Sequence, residues 1–251
     1  MKILITAPLR QEVKIFKEYQ KSLDALIIPD GYEADRFFVV NDCPEVIPLI
    51  RNAAFITHDT GDAYEKNEQE HIWTAENVAK MSTLRNMTII YALTHGYDYW
   101  FSADTDLVLD PHTLEYLLAA DRDIVSEVFW SDSGRGEWCN AWMYDNYTPP
   151  RIVWKNKGLF QVGMTGACTL VKRRVFEAGV GYAPIPNIRT TLVGEDRHFC
   201  VRAACAGFDM WLDTHCPATH LYTEAEYQKF KAREKDAERM QTGAAHQNRQ
   251  I

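Results

Sequence analysis

With 251 residues, 46% hydrophobic and 25% charged, the chain is long enough for one α/β domain with a full sheet core, since such domains run to roughly 200–250 residues. Its formal net charge of −8 argues against broad, sequence-independent nucleic-acid binding, which relies on basic surface. No apolar run approaches the roughly 20 residues of a membrane span, and Cys43, Cys139, Cys168, Cys200, Cys205 and Cys216 form no C-x-x-C pair. They read as mostly buried free thiols of a cytoplasmic protein.

Strand-like and helix-like patterns alternate, which predicts a mostly parallel central sheet flanked by helices. Ile3–Thr6 reads as a first strand and Gln11–Leu26 as an amphipathic helix; Arg36–Asn41 is a second strand ending at Asp42. Ile47–Ile56 is a shorter unit, and Asp59–His71 a polar loop. Thr74–His95 has the clearest helical pattern, with Thr74 as N-cap and Gly96 as stop. A strand at Tyr97–Ser102, a helix over Pro111–Ala120 and a strand at Asp123–Phe129 come next. Trp130–Pro150 reads as a loop, followed by strands at Leu159–Val162 and Cys168–Val171, a helix beginning at Arg173 and an irregular stretch over Gly179–Leu192. Glu195–Ala206 is a helix closed by Gly207, Phe208–Leu212 a late strand, and the chain from Thr223 onward is charged and helical.

Two places stand out. Val78, Met81, Ile89 and Ala92 form an apolar stripe at helical spacing, and Arg85 sits in its middle. A guanidinium on a core-facing stripe needs an anionic partner. A structural carboxylate and a ligand phosphate suit it equally, because both accept the same fork of donors. The second place is Asp104-Thr105-Asp106 at the end of the aromatic run Tyr97–Ser102. Residues two apart on extended backbone share a side, so both carboxylates are expected to reach one hard divalent cation, Mg²⁺ or Mn²⁺. Such an ion keeps positions open for substrate phosphates.

Ligands of open α/β sheets sit at the carboxyl ends of the strands. Those ends here carry Pro8-Leu9-Arg10, Asn41-Asp42, Asp104-Thr105-Asp106 and, late in the chain, Thr219-His220; Gly194-Glu195-Asp196 opens a helix. In this order and spacing, together with Leu84-Arg85-Asn86, they resemble the GT-A class of nucleotide-sugar glycosyltransferases, family-2-like enzymes in particular. The resemblance runs from Met1 to about Tyr222, implying a GT-A domain over 1–222 and a helical tail over 223–251. It implies that Pro8, Arg10 and Asp42 line the base pocket and that Arg85 faces the diphosphate or holds the first Asp. Asp104 would meet ribose or metal, Asp106 and His220 would bind the metal, and Asp196 would be the general base of an inverting transfer, with Glu195 beside it. The implied cofactor is Mn²⁺ or Mg²⁺, and the implied partner a nucleotide-sugar donor.

Plainer readings stand beside these. Glu195 and Asp196 can serve as favourable charges at a helix start, Asp42 as a turn residue, and His220 as a buried hydrogen-bonded histidine. His215 is an alternative ligand. Trp130, Trp138 and Trp142 suit stacking on an acceptor sugar or base, and equally suit covering a sheet edge. The Gly163–Gly166 turn either lets backbone approach the donor or makes a tight bend. A nucleotidyltransferase would want a Gly-rich basic loop after the first strand, which is absent, and a nucleotide-sugar-binding domain without turnover is the non-enzyme alternative. The acceptor is open among glycans, small molecules and modified nucleobases.

Overall fold

The computed structural model describes residues 1–61, 74–132, 136–143, 151–186 and 194–247. In chain order the elements are β1 (Lys2–Leu9), α1 (Val13–Asp24), β2 (Glu33–Val40), a 3-10 turn at Pro44–Leu49, β3 (Ala54–Thr57), α2 (Ala75–Thr94), β4 (Tyr99–Ala103), β5 (Leu107–Val108), α3 (Thr113–Ala119) and β6 (Ile124–Asp132). Then follow β7 (Glu137–Cys139), β8 (Ala141–Trp142), a 3-10 turn at Ile152–Lys155, β9 (Leu159–Val162), β10 (Met164–Thr165), β11 (Cys168–Lys172), α4 (Arg173–Glu177), α5 (Glu195–Cys205), β12 (Met210–His220) and α6 (Glu224–Gln247).

The main sheet has the order β3-β2-β1-β4-β11-β6-β12-β5. Strands β3, β2, β1, β4, β6 and β12 share one direction, whereas β11 and β5 run against them. Both faces are buried, which is why the strands read as near-continuous apolar runs. On β2, Phe37 and Val39 join the core beneath α2 and α5, while Phe38 and Val40 join the core beneath α1 and α3. Helix α1 presents Phe16, Tyr19 and Leu23 at helical spacing to the latter. Thr74 caps α2 by accepting from Asn77 N–H at 3.1 Å, and Gly96, at φ +73°, lets the chain turn out of the helix.

Some expected boundaries shift. The Ile47–Ile56 unit resolves into the 3-10 turn and edge strand β3. The late strand does not stop at Leu212 but continues to His220, with a register shift between Asp213 and Ala218 that accommodates Pro217. Trp130–Pro150 is not loop throughout: β6 extends to Asp132, and β7 and β8 follow. Most of the Asp59–His71 loop, and Gly179–Leu192 from 187 on, lie outside the described residues. Helix α6 starts with a reciprocal cap, Thr223 N–H to Glu226 Oε2 at 2.9 Å and Glu226 N–H to Thr223 Oγ at 3.1 Å. It pairs with α1 through Lys14–Glu224, Lys21–Glu234 and Glu18–Lys231. Five cysteines are buried, Cys205 is exposed, and all six are free thiols. No helix among the described residues is long and apolar enough to cross a membrane.

Candidate active site

Strand order reverses at β1, whose neighbours are β2 on one side and β4 on the other. Crossovers leave such a pair of strands in opposite directions, opening a crevice beyond their carboxyl ends. Pairing of β1 with β4 stops at Thr6–Ser102, while β1 continues beside β2 to Leu9. A cleft of about 460 Å³ opens there, within the usual range for small-molecule sites. Its walls are Pro8–Glu12 from β1, Asn41–Cys43 from β2, Asp104–Asp106 from β4, the N-terminal half of α2, Glu195 and Asp196 at the head of α5, and Tyr222.

Arg85 stands behind the cleft. Alternation on β4 turns Trp100, Ser102 and then Asp104 toward α2, and the Arg85 guanidinium meets the last two. Nη1 donates to Ser102 Oγ at 3.0 Å, and Nη2 donates to Asp104 Oδ1 and Oδ2 at 2.9 and 3.2 Å. Its Nε donates to Glu195 Oε1 at 2.7 Å. Burial disfavours its charge, but Asp104 and Glu195 more than compensate and hold its pKa well above the ordinary value. Arg85 therefore takes carboxylate partners, one of the two readings its position allows.

Glu195 and Asp196 occupy different surroundings. Glu195 is buried against Arg85, whereas the Asp196 side chain is 22% exposed, 4.0 Å from Arg85 Nε, and its Oδ1 accepts no hydrogen bond. Burial, reinforced by the Glu195 charge and opposed by Arg85, pushes the Asp196 carboxyl up to about 7. Burial, with Arg85 opposing and Asp106 adding to it, lifts Asp104 to about 6.

The Asp104-Thr105-Asp106 triplet does not act as one extended segment. Strand geometry ends at Ala103, and Leu107 N–H bonds back to Asp104 O at 3.1 Å, closing a turn. Asp104 bonds to Arg85 and Asp106 lies beside His220, and both residues line the cleft. His220 Nε2 lies 3.4 Å from Asp106 Oδ2, while its Nδ1 bonds Ser131 Oγ. Burial lowers the His220 pKa, yet Asp106 outweighs it and the net shift is upward. Among the described residues no three His, Cys, Asp or Glu side chains are gathered as a metal-holding group. Asp106 and His220 alone supply a carboxylate oxygen and an oriented imidazole nitrogen. That donor set fits a Mg²⁺- or Mn²⁺-type ion held largely by substrate phosphates and water.

Asp42 sits at φ +49°. Its carboxylate accepts from Thr60 N–H at 2.9 Å, Thr60 Oγ at 2.8 Å and Gly61 N–H at 3.0 Å, and Arg10 Nη1 is 3.6 Å away. The Gly61 N–H leads the effects that hold its pKa below the usual carboxylate value. Asp42 thus braces the 59–61 turn and borders the cleft at once. His215 lies apart, bonded to Asp213 at 3.0 Å and stacked on Tyr116 at 4.6 Å. Trp138 packs beside Phe129 and His220; Trp130 lies under Lys155 and Trp142 under Arg197.

Asn77, Lys80 and Tyr222 also line the cleft and were not singled out in the sequence. Asn77, Lys80/Met81 and Leu84/Arg85 recur every three or four residues, the spacing of one helix face. That pattern, extended upstream from Arg85, identifies the helix wall of the cleft.

No family model and no curated protein matches the sequence. Solved structures do match in fold. One is residues 1–349 of S. aureus TarS in complex with UDP-GlcNAc, at TM-score 0.54 and 12% identity, covering 87% of this chain and 57% of that one. Another is a CMP:2-keto-3-deoxy-manno-octonic acid synthetase complexed with CTP, at TM-score 0.54 and 10% identity, covering 94% of this chain and 100% of the other. The chain spans a little under three fifths of the TarS fragment. The fold is GT-A-like: a mixed sheet flanked by helices with its cleft at the strand ends.

Proposed function

We propose that the chain is a glycosyltransferase that moves a sugar from a nucleotide-diphosphate donor to an acceptor hydroxyl, with inversion. One observation carries the reading: in a cleft at the strand-order reversal, Arg85 clamps Asp104 and Glu195 and leaves the neighbouring Asp196 carboxylate without a hydrogen bond on Oδ1. A base needs a carboxylate open to the acceptor's side of the cleft and a pKa near the working pH; that Asp196 lines the cleft with its carboxyl pushed up to about 7 supports this role.

The other residues take roles that their positions allow. Pro8, Arg10 and Asp42 border the base end of the donor. Arg85 fixes Asp104 from behind, and Arg10 and Lys80 bring positive charge into the cleft. Asp106 and His220 would hold a divalent cation, which supplies charge stabilisation for the departing nucleoside diphosphate. Asp196 accepts the acceptor's hydroxyl proton, and Glu195 keeps the helix start in register with Arg85. The test is a thermal-shift panel of nucleotide sugars with Mn²⁺, since a ligand of the folded state raises stability, followed by turnover with any binder. Asp196→Asn retains donor binding and loses turnover under this reading; a non-catalytic binding domain would be indifferent to it.

A nucleotidyltransferase is the second reading, favoured by the likeness to the CTP-bound synthetase along its whole length. It predicts binding of a nucleoside triphosphate in preference to nucleotide sugars, and pyrophosphate release with a sugar acid. Against it stands the turn after β1, Arg10-Gln11-Glu12, which has no glycine to wrap a triphosphate.

A further inference from the structure

Asn140, between β7 and β8, is 2% exposed, and its amide bonds only to backbone. Nδ2 donates to Glu127 O and Gly166 O, both at 2.9 Å, and Oδ1 accepts from Phe129 N–H at 3.0 Å. The side chain therefore ties the middle of β6 to the turn that precedes β11. That turn borders both cleft carboxylates. Ala167 O accepts the Asp104 N–H at 2.8 Å, and Gly166 O also accepts from Cys168 N–H at 2.8 Å. Ala167 itself is held at φ +67°, a left-handed conformation that a non-glycine residue adopts only when its surroundings impose it.

Gly166 has no left-handed φ, so a tight bend is not its reason. Its reason is contact: a Cβ there would lie 2.9 Å from Asp196 Cβ and overlap the Asp196 carboxylate. Asp196 Oδ1 accepts no hydrogen bond, and Arg85 Nε is 4.0 Å away. Direct polar contacts thus do little to fix that carboxylate, and the backbone of Gly166 is the surface it rests on.

We propose that Gly166, anchored by Asn140, is a positioning element that sets the place of the Asp196 carboxylate in the cleft. Its kinetic consequence rests on Asp196 acting as the base; its geometric content does not. A misplacement of about 1 Å at a reacting group costs on the order of 100-fold in rate.

The experiment is a pair of variants, Gly166→Ala and Asn140→Asp, read by crystal structure and by steady-state transfer, each alone and combined with Asp196→Asn. In Gly166→Ala, rotation of Asp196 relieves the overlap with its carboxylate, and the 2.9 Å approach to Asp196 Cβ requires the turn or the head of α5 to shift as well. Circular dichroism and urea unfolding check that the variant folds, and Asn140→Asp tests the same positioning without that contact. The expected result is a kcat lower by about 100-fold with donor KM within about twofold, and no further loss on the Asp196→Asn background. Asn140→Asp keeps the acceptor for Phe129 N–H but loses both donors, and displaces the turn and Asp196 with it. An Asp196 carboxylate unmoved in the Gly166→Ala crystal, or a loss that multiplies with that of Asp196→Asn, overturns the inference. A carboxylate that moves while turnover is unchanged supports the positioning and removes Asp196 from the role of base.

Discussion

Arg85 Nε and Glu195 Oε1 meet at 2.7 Å across 110 residues of sequence, and both side chains are 2% exposed. The contact separates two acidic neighbours. Successive helix residues point about 100° apart: Glu195 takes the bond to Arg85, while Asp196 Oδ1 stays 4.0 Å from the same Nε and the residue lines the cleft. Two adjacent carboxylates thereby acquire different surroundings, one buried on Arg85 and one 22% exposed in the cleft.

Removing Arg85 should cost more than any other single cleft change. Arg85→Met leaves Glu195 buried without its countercharge, a loss of about 3–5 kcal/mol. Arg85→Lys keeps the charge but not the three-way fork, and should fall between. Arg85→Met with Glu195→Met should recover part of the loss, since the uncompensated charge goes with it. Urea unfolding measures all three; a double variant as unstable as Arg85→Met alone would show that the pair is not what holds the two helices.

With Asp196 as the proposed base, the pH dependence of transfer is set by its carboxyl. Its carboxyl, lifted to about 7 by burial first and the Glu195 charge second, must be ionised to accept a proton. Activity is therefore full above pH 7 and falls as pH drops through it, about tenfold per unit well below. Asp196→Asn should lower kcat by roughly 10²–10⁴-fold and abolish this limb. A limb that survives the substitution would move the base to another residue.

Much of this was legible in the chain. Arg85 announced itself as a charge on an apolar stripe, and the aromatic strand before Asp104 located the cleft, because periodicity is local and burial follows from it. The separate partners of Asp104 and Asp106 were not legible: strand geometry stops at Ala103, and the turn closed by Leu107 N–H on Asp104 O sets which neighbour each carboxylate meets. Nor was the partner of Asn140, since a buried amide that bonds only backbone leaves no pattern in sequence. The extension of β12 past Pro217 was hidden for a similar reason, as a register shift absorbs the proline.

Asp106 and His220 should carry the cation dependence of donor binding. Asp106→Ala removes the carboxylate that lies 3.4 Å from His220 Nε2, so the extra stabilisation by nucleotide sugar in Mn²⁺ over EDTA should vanish while the chain stays folded. His220→Ala should reduce it as well and lower Tm besides, because the ring packs on Phe129 at 4.7 Å and Tyr222 at 5.7 Å. Thermal shift with and without Mn²⁺ gives both readings, and an undiminished Mn²⁺ increment in Asp106→Ala would place the ion elsewhere.

A second acidic pair lies within the sheet, apart from the cleft walls. Glu127 on β6 is fully buried and faces Asp213, its register partner on β12. Burial first and the Asp213 charge second push its carboxyl from 4.5 up to about 9. The sign follows directly. The folded state holds this proton more tightly than the unfolded chain, so raising pH from about 4.5 to about 9 progressively removes stability. Glu127→Gln keeps shape and neutrality and cannot ionise. Its Tm relative to the parent should therefore climb across that window and level off above pH 9, with little difference near pH 4. A pH-independent offset between the two proteins would mean that Glu127 is already ionised in the fold and that its charge is held by a partner other than Asp213.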